Sequence, residues 1–398
     1  MLNVEERSCL VDLLLFILLI LIPSTGQVQK YLGNAGVALY VFVGLLSFLA
    51  IYKHGFPKVV SVLTDRQALL LTMITFLGLI AVFAVVYPIV NSGIVGGGSD
   101  RDDALNIAAL ELTHGHYPYY AKTYLGNLIS PFPGAIILAV PFVLLLGNSA
   151  FQNFFWLLAF ATTLRYLTDA RRALLVLWTM LIFSPVILKE LLVGGDLISN
   201  GIYVPISLML IIRFASTQSK WSPFRLTSTA ILLGICLSSR ANFVLLLPLV
   251  FSALVQASGW RYAAKCVALA GATLCAVTIP FYAYDPQGFV PLGKNNPFTD
   301  FQMVLPFAGF IIPLITGLLA LALCFSTSNR DIVPFLRNCA IIEAFPVFSA
   351  LVLSSIKAGK LDFTFAEHGL AFLFFGVLAS CPSLFPAERL VTETSTGV

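Results

Sequence analysis

Residues 96–134 read GGGSDRDDALNIAALELTHGHYPYYAKTYLGNLISPFPG and gather polar side chains that are scarce in the rest of the chain. Asp100, Asp102 and Asp103 lie within four positions of one another, and two histidines and four tyrosines follow them. The sequence on either side consists mainly of Leu, Ile, Val, Phe and Ala. This contrast predicts a functional loop between apolar helices.

The composition of the whole chain is that of an integral membrane protein. Of its 398 residues, 59% are hydrophobic and 11% are charged, whereas soluble domains carry about 25% charged residues. The seven cysteines are scattered and contain no C-x-x-C pair, which argues against a disulfide framework or a zinc site. No nucleic-acid partner is expected.

Apolar segments long enough to span a bilayer recur along the chain, since a hydrocarbon core requires about 20 apolar residues per helix. They predict an all-α polytopic protein of about twelve transmembrane helices with short re-entrant or juxtamembrane helices. The segment 134–147 is shorter and contains Pro141, which indicates a half-helix or a re-entrant segment. The predicted spans are 10–25, 34–52, 68–90, 149–164, 173–190, 201–215, 226–239, 243–258, 266–283, 301–325, 339–356 and 363–381.

Lys and Arg residues predict the orientation, because they accumulate in cytoplasmic loops. Five basic clusters share one side only if 134–147 does not cross the membrane fully. The acidic loop then faces away from the cytoplasm, in a multi-pass protein of the cell membrane. The clusters are Lys53, Lys58 and Arg66; Arg165, Arg171 and Arg172; Arg213, Lys220 and Arg225; Arg261 and Lys265; and Arg330 and Arg337.

Two interpretations of the loop carboxylates remain open. Ser99 or Asp100 can cap a helix that begins near Arg101, and acids near a helix N-terminus are stabilised by its dipole. Alternatively, one carboxylate acts as a general base at the outer boundary of the membrane. On that helix Asp102 and Asn106 share one side, while the opposite side is apolar and faces a membrane or a core.

His114 and His116 raise the question of a metal site with the loop acids. An H-x-H pair on a helix directs its side chains about 200° apart, so ordinary hydrogen-bonding histidines are the preferred interpretation. No metal dependence and no cofactor are expected. The tyrosines of 117–124 predict an interface belt and the wall of a cleft.

Three motifs in order resemble the GT-C superfamily of multi-pass glycosyltransferases. The first external loop of that superfamily is similar to S-D-x-D-D (99–103), G-x-x-P-Y (115–119) and S-P-x-P-G (130–134). LGICLSSRANFVLLLP (233–248) resembles its Gly-…-Arg-x-Asn segment, and FYAYDPQGF (281–289) resembles its aromatic-Asp-Pro turn. The pattern is most similar to that of bacterial polyprenol-phosphate-mannose-dependent mannosyltransferases.

The resemblance divides the chain into regions and implies a reaction. It implies additional transmembrane helices in 1–67, a GT-C-like module in 68–383 with an external catalytic loop at 91–134, and a short cytoplasmic tail at 384–398. The module would transfer a hexosyl group, with mannosyl as the first candidate, from a polyprenyl-phosphate sugar. The acceptor would be a hydroxyl of a lipid, glycan or protein on the non-cytoplasmic face.

Candidate site residues follow from the motifs and from the polar residues near that face. Asp100, Asp102 and Asp103 are candidate general bases, and the spacing to Gly115 does not choose among them. Arg240 interrupts an apolar run, and an intramembrane arginine is a functional hypothesis by default. Its charge suits a leaving phosphate. The alternative is an arginine at a helix end whose side chain extends to the membrane interface. The remaining candidates for substrate binding are Asn242, Tyr119, Lys294, Asp196 and Asp285.

Two other classes of protein remain alternatives. A transporter or lipid flippase also carries broken helices and charged residues near the midplane, although here the ionisable residues collect at one face and no repeated halves are evident. A scaffold without chemistry leaves the acidic loop unexplained.

Overall fold

Helices form nearly all of the regular structure in the computed structural model of the chain, which describes residues 4–92, 99–216, 223–292, 297–326 and 331–384. These ranges contain no β-strand, and one isolated bridge joins Lys122 to Leu128. In chain order, their α-helices are α1 Val4–Leu21, α2 Thr25–Ala50, α3 Phe56–Val62, α4 Asp65–Asn91, α5 Arg101–Thr113, α6 Pro133–Leu146, α7 Gln152–Leu167, α8 Ala170–Phe183, α9 Pro185–Val193, α10 Leu197–Ser216, α11 Pro223–Leu237, α12 Leu247–Ser258, α13 Trp260–Tyr284, α14 Ala308–Ser326, α15 Ile332–Ala358 and α16 Leu370–Leu384.

The chain is an all-α, multi-pass membrane protein. Within the described ranges, eight helical segments are long and apolar enough to cross a membrane, or up to ten if each of two bent pairs forms one span. The first of these segments, Asp12–Val62, is counted once, whereas the predicted twelve include two spans there. The predicted span 226–239 is the 15-residue helix α11, and helix α14 begins only at Ala308 rather than near residue 301.

A break at Ser184 divides the predicted span 173–190. Helices α8 and α9 meet there at 83°. Pro185 explains the break, because proline offers no backbone N–H and its ring disfavours helical backbone in the preceding residue. Ser184 accordingly has φ −123° and ψ 77°, outside the helical region.

The N-terminal helices form an antiparallel pair rather than one long rod. Gly33 has φ 66°, a left-handed conformation that glycine adopts without steric cost, and the chain reverses direction there. The rings of Phe16 and Phe48 lie 5.6 Å apart across the pair, and the Tyr40 hydroxyl donates to the Phe183 carbonyl at 2.5 Å. Helices α1 and α2 therefore pack onto the rest of the bundle.

Helix α6 is the segment that was predicted to be a half-helix. Its 14 residues rise about 21 Å, which is less than the roughly 30 Å of a hydrocarbon core. Gly147 ends the helix with φ 76°, and the chain turns by 107° into the next helical segment. The short length and the sharp turn agree with the predicted half-helix.

Contacts link the basic clusters at one end of the bundle. The Arg171 guanidinium pairs with Asp65 at 3.2 Å, and Arg213 lies over the Tyr166 ring at 4.1 Å. The Ser258 hydroxyl, two residues before Trp260, donates to the Ala215 carbonyl at 2.5 Å. These contacts join the chain segments that carry the first four predicted clusters to one another. Lys220 and Arg330 lie outside the described residues.

Helix α5 packs against α6 in a small core of its own. Leu105, Ala108 and Ala109 are buried, as the predicted apolar face requires, and they contact Ile136 and Ala139 of α6. Alanines allow the two helices to approach closely. The acidic N-terminus of α5 is thereby fixed against the membrane-embedded part of the chain.

Candidate functional site

A cavity of about 900 Å³ lies between the acidic loop and the ends of several helices. The loop supplies the wall from Asp100 to Phe132, and α10, α14, α15 and α16 supply other walls. The charged or titratable residues that line the cavity are Asp100, Arg101, Asp196, Arg240, Glu343 and His368. Its apolar lining includes Phe132, Phe243, Leu245, Leu292, Ile312, Pro313, Pro346, Val347 and Ala350. The cavity is therefore amphiphilic.

The S-P-x-P-G motif brings the loop to this position. Pro133 is the first residue of α6, where its missing N–H is not needed. The Gly134 N–H donates to the Ser238 carbonyl at 3.2 Å, and a Cβ atom at Gly134 would lie 2.2 Å from the Ile235 carbonyl oxygen. Only glycine permits this approach, which sets the end of the loop beside the Ser238–Asn242 turn.

Asp100 is the one loop aspartate of the three that lines the cavity. It occupies the N-cap position of α5, which begins at Arg101 as predicted, but its side chain makes no capping hydrogen bond. The capping prediction for Asp100 is wrong because the carboxylate turns toward the loop instead. Its Oδ2 accepts from the Thr123 hydroxyl at 2.7 Å and from Asn127 Nδ2 at 2.8 Å.

Ser99 offers only a weak substitute for that cap. Its Oγ lies 3.4 Å from the Arg101 backbone nitrogen, beyond the usual range of an N–H···O bond. The N-terminus of α5 is thus held by the side chains around it rather than by a capping box.

Asp102 lies in a different environment, buried against α4. The Tyr87 hydroxyl donates to Asp102 Oδ2 in a short hydrogen bond, and Asn91 Nδ2 donates to the same oxygen at 3.2 Å. Only 3% of Asp102 is exposed, and burial raises the pKa of its carboxyl to about 6. Asp102 therefore ties α5 to α4 and does not line the cavity.

Asp103 contacts the part of the loop around Tyr124. Its Oδ2 accepts from the Tyr124 backbone N–H at 2.8 Å, and it does not line the cavity. The three neighbouring aspartates thus reach three different surroundings, which their spacing in the sequence does not reveal.

Arg101 joins the loop to two other segments through ion pairs. Its guanidinium lies 3.3 Å from Glu190 and 2.7 Å from Glu367. Lys189 completes the cluster, with its Nζ 2.9 Å from Glu190 and 3.0 Å from Glu367. Burial alone would lower the pKa of Arg101, but the two carboxylates outweigh it and raise that pKa further. Because Arg101 directly follows Asp100 in the chain, the ion pairs of Arg101 also hold Asp100 in place.

Arg240 and Asp196 form a second ion pair at the polar end of the cavity. Arg240 Nη2 lies 3.1 Å and 3.2 Å from the two carboxylate oxygens of Asp196. Asn200 Nδ2 also donates to Asp196, at 2.7 Å. Burial would raise the pKa of Asp196, but the charges of Arg240 and Arg101 and the hydrogen bonds from Asn200 and Arg240 together outweigh burial and lower it. Asp196 and Arg240 were both predicted as site residues, and the structure brings them together.

Asn242 and Glu343 meet at the same end. Asn242 Nδ2 donates to Glu343 Oε2 in a short hydrogen bond. Glu343 lies near the middle of α15 and is 1% exposed. Sequence reasoning missed Glu343, although a lone carboxylate within a predicted span is itself a signal of function. Glu190, Glu367 and His368 were missed as well.

Tyr119 and Asp285 lie outside the cavity and shape the loop instead. The buried Tyr119 hydroxyl donates to the Pro131 carbonyl at 3.0 Å. Asp285 Oδ1 accepts from the backbone N–H groups of Gly288 at 3.0 Å and Gln287 at 3.1 Å, the pattern of an Asx turn. The Gly288 N–H also lowers the pKa of Asp285. Lys294, the last predicted binding residue, lies outside the described residues.

The tyrosines around Asp285 form an aromatic cluster beside the cavity. Tyr117 lies 4.7 Å from Tyr120 and 4.9 Å from Tyr284, measured between ring centroids. The Tyr120 hydroxyl donates to Asp285 Oδ2 at 3.1 Å. Tyr120 and Tyr284 are exposed, as side chains of an interface belt would be.

The two histidines do not assemble with the loop acids. His116 Nδ1 lies 3.0 Å from Glu111 Oε2, and the His114 and His116 rings are 6.2 Å apart. Among the described residues, no group of three or more His, Cys, Asp or Glu side chains is arranged to hold a metal ion.

Comparison with known proteins adds no relative to this description. No family model matches the chain, and no curated protein and no solved structure matches it. The class that the fold defines is a multi-pass, all-α membrane protein, and its described residues enclose an amphiphilic cavity of about 900 Å³.

Proposed function

We propose that this protein is a membrane glycosyltransferase that moves a hexosyl group from a polyprenyl-phosphate sugar to a hydroxyl of a lipid, glycan or protein acceptor. Mannosyl is the first candidate for the hexosyl group. One observation carries the proposal: a single cavity joins the loop carboxylate of Asp100, the guanidinium of Arg240 and an apolar wall. The resemblance of the motifs to GT-C glycosyltransferases points to the same reaction.

The amphiphilic lining suits a lipid-linked sugar. Ligand sites of about 300–1,000 Å³ bury most of a small ligand, and this cavity of about 900 Å³ falls in that range. Its apolar side, which includes Leu245, Ile312 and Val347, matches a prenyl chain. Its charged side matches a phosphate and a sugar.

Asp100 is the proposed general base. Thr123 and Asn127 both donate to Oδ2 of its carboxylate, and in the described part of the chain Oδ1 remains available to an acceptor hydroxyl. A carboxylate oriented by two donors and open to a cavity satisfies the geometry that general-base catalysis requires. Asp102 and Asp103 lack this access.

Arg240 is the proposed partner of the leaving phosphate. Asp196 pairs only with Nη2 of Arg240. The buried Nε of Arg240 has no hydrogen-bond partner in the described chain. Charge-assisted bonds from arginine to phosphate oxygens are strong and can be bidentate. Asp196 then orients the guanidinium rather than occupying all of it.

The reaction follows from these roles. The acceptor hydroxyl gives its proton to Asp100, and its oxygen attacks the anomeric carbon. The bond between that carbon and the phosphate oxygen breaks, and polyprenyl phosphate leaves with the electron pair beside Arg240. The net products are the glycosylated acceptor and polyprenyl phosphate. The cavity would open to the non-cytoplasmic side of the cell membrane, opposite the basic clusters.

The test is product analysis with purified protein. A panel of polyprenyl-phosphate hexoses is mixed with acceptors from a membrane extract, and the release of polyprenyl phosphate is measured together with the glycosylated product. We expect both products to appear in equal amounts with at least one donor, and nucleotide sugars to fail. Vesicles that move a lipid or solute while every glycosidic bond stays intact would show a transporter or flippase instead.

Arg240 offers a second test of the same site. Arg240→Ala should lower kcat/KM for the donor by about 10- to 100-fold, because bonds to charged groups contribute about 1.5–3 kcal/mol each. The KM for the acceptor should change little. Arg240→Lys should recover part of the loss, since lysine cannot form the bidentate fork.

Two controls separate this effect from a loss of folding. Removing one member of a buried ion pair destabilises a protein, so the double variant Arg240→Ala with Asp196→Asn removes both charges together. Arg261→Ala removes an exposed arginine that lies over Trp260 outside the cavity. If the double variant is as stable as wild type and still uses the donor normally, Arg240 does not bind the phosphate.

A further inference from the structure

Two buried polar atoms at the charged end of the cavity have no protein partner within the described residues. One is Glu343 Oε1 and the other is Arg240 Nε. Both residues line the cavity. Asn242 connects them, because it follows Arg240 by two positions and donates to the other oxygen of Glu343.

An unpartnered buried polar atom is unusual in a folded protein. More than 90% of buried polar groups have a hydrogen-bond partner, and leaving one without a partner is energetically costly, more so when it is charged. Glu343 is 1% exposed, so bulk solvent does not solvate it. Both residues nevertheless line the cavity, so a ligand bound there lies beside them and can supply the missing partners.

The chemistry of the two atoms defines that ligand. The Arg240 Nε–H is a donor and requires an acceptor such as a phosphate oxygen. Glu343 Oε1, as a carboxylate oxygen, is an acceptor and requires a donor such as a hydroxyl. A ligand that carries a phosphate and a nearby hydroxyl group would satisfy both atoms. A sugar linked through its anomeric carbon to a phosphate has both features, whereas a plain polyprenyl phosphate has only the first.

We propose that Glu343 recognises a hydroxyl group of the donor sugar and that Asn242 holds Glu343 in position to do so. This inference rests on the proposed function and adds to it the part of the site that distinguishes the sugar-bearing lipid from the lipid product. Release of the product is then favoured, since polyprenyl phosphate leaves Glu343 without a donor.

Glu343→Gln tests the inference with little change in shape. The glutamine carbonyl still accepts from Asn242, and its NH₂ group replaces Oε1 at the cavity surface. An amide N–H cannot accept a bond from a hydroxyl. Glu111→Gln is the matched control, because Glu111 pairs with His116 at the surface and is absent from the cavity wall.

The experiment measures binding, so that it does not depend on turnover. The dissociation constants of a short-chain polyprenyl phosphate, its mannosyl form and a set of single-deoxy mannosyl forms are compared on wild-type protein and both variants. On wild type, we expect one deoxy sugar to bind about 10- to 100-fold more weakly than the full sugar, the effect of one hydrogen bond to a charged group. On the Glu343→Gln variant that difference should fall below about threefold, because the effects of two groups in contact are coupled and removing one group removes the effect of the other.

The outcomes separate this inference from the proposed function. If polyprenyl phosphate and its mannosyl form bind, but no deoxy sugar depends on residue 343, Glu343 does not recognise the sugar and the glycosyltransferase proposal stands. If neither lipid binds wild-type protein, both proposals fail. Equal binding of every deoxy sugar to wild-type protein would by itself overturn the inference, even if the Glu343→Gln variant does not fold.

Discussion

Asp100 and Asp102 are two positions apart in the same loop, yet their carboxylates belong to different regions of the molecule. Asp100 accepts from Thr123 and Asn127 of its own loop and lines the cavity. Asp102 accepts from Tyr87 and Asn91 of α4 and is buried away from it. Helical rotation of about 100° per residue separates their directions by about 200°.

The comparison shows how one short motif can serve two purposes. Burial of a carboxylate with few donors disfavours its charged form, and the raised pKa of Asp102, about 6, reflects this. Asp100 keeps access to a ligand. Asp102 anchors the loop to the transmembrane helix α4, and Asp100 is left free to react.

The largest effect should come from removing the reactive acid. Asp100→Asn should lower the transfer rate by about 10²–10⁴-fold, the usual loss when a positioned base is removed. The asparagine oxygen still accepts from Thr123 and Asn127, so the melting temperature should stay close to that of wild type. Initial rates of polyprenyl phosphate release and a thermal unfolding scan measure the two quantities.

Loop disruption is the competing explanation for such a loss. Thr123→Val removes one donor to Asp100 and keeps the carboxylate, so it should cost far less activity than Asp100→Asn. If the Asn variant turns over at the wild-type rate, Asp100 is not the base.

The second effect should appear in stability rather than in rate. The folded protein holds the proton of Asp102 up to about pH 6, whereas the carboxyl has an ordinary value of 3.8 when exposed. The folded state therefore binds more protons between these values, and stability falls as the pH rises from about 4 to about 6. Above about pH 6 both states are ionised and the effect is constant. The pKa difference corresponds to about 3 kcal/mol.

Asp102→Asn should remove this pH dependence, because asparagine does not titrate. The melting temperatures of wild type and variant, measured in steps from pH 4 to pH 7, should diverge progressively, with the variant more stable at the upper end. Other carboxylates titrate in both proteins, and the difference between the two curves isolates Asp102. Parallel curves would contradict the buried position of this acid.

The sequence predicted the class of fold well, because transmembrane helices are recognised by length and composition alone. It placed the start of α5 at Arg101 and its apolar face on Leu105, Ala108 and Ala109, where local periodicity decides the outcome. Hydropathy did not reveal two interruptions of the predicted spans. Pro185 divides 173–190, and the helix in 226–239 is only 15 residues long.

The site was less predictable because it is assembled from distant segments. Arg240, Asp196 and Asn242 were predicted from their own surroundings, but their contacts with one another and with Glu343 depend on how α10, α15 and the 241–246 turn pack. The acids of the loop could not be ranked, since neighbours from α4 and from residues 123–127 decide which one is buried. Lys294 stays a prediction.

The smallest effect should come from the third acid, Asp103, which neither lines the cavity nor anchors α4. Its carboxylate accepts one bond, from the Tyr124 backbone N–H, and a single neutral–charged bond at a partly exposed site contributes about 1 kcal/mol or somewhat more. Asp103→Asn keeps an oxygen for that bond and should change the melting temperature little. Asp103→Ala should lower it by a few degrees, and both variants should transfer sugar within about threefold of wild type.

Asp103 therefore serves as a control for the comparison of Asp100 with Asp102. It has the same charge as Asp100 and lies on the same turn of the helix, so it controls for the loss of one negative charge near the cavity. A large loss of transfer in Asp103→Asn, with normal turnover in Asp100→Asn, would move the base from the cavity wall to the Tyr124 side of α5. The acceptor would then have to approach through the loop, and the cavity would bind the donor alone. Near-normal turnover in Asp103→Asn beside a loss in Asp100→Asn would instead tie the chemistry to Asp100, the one loop aspartate of the three that lines the cavity.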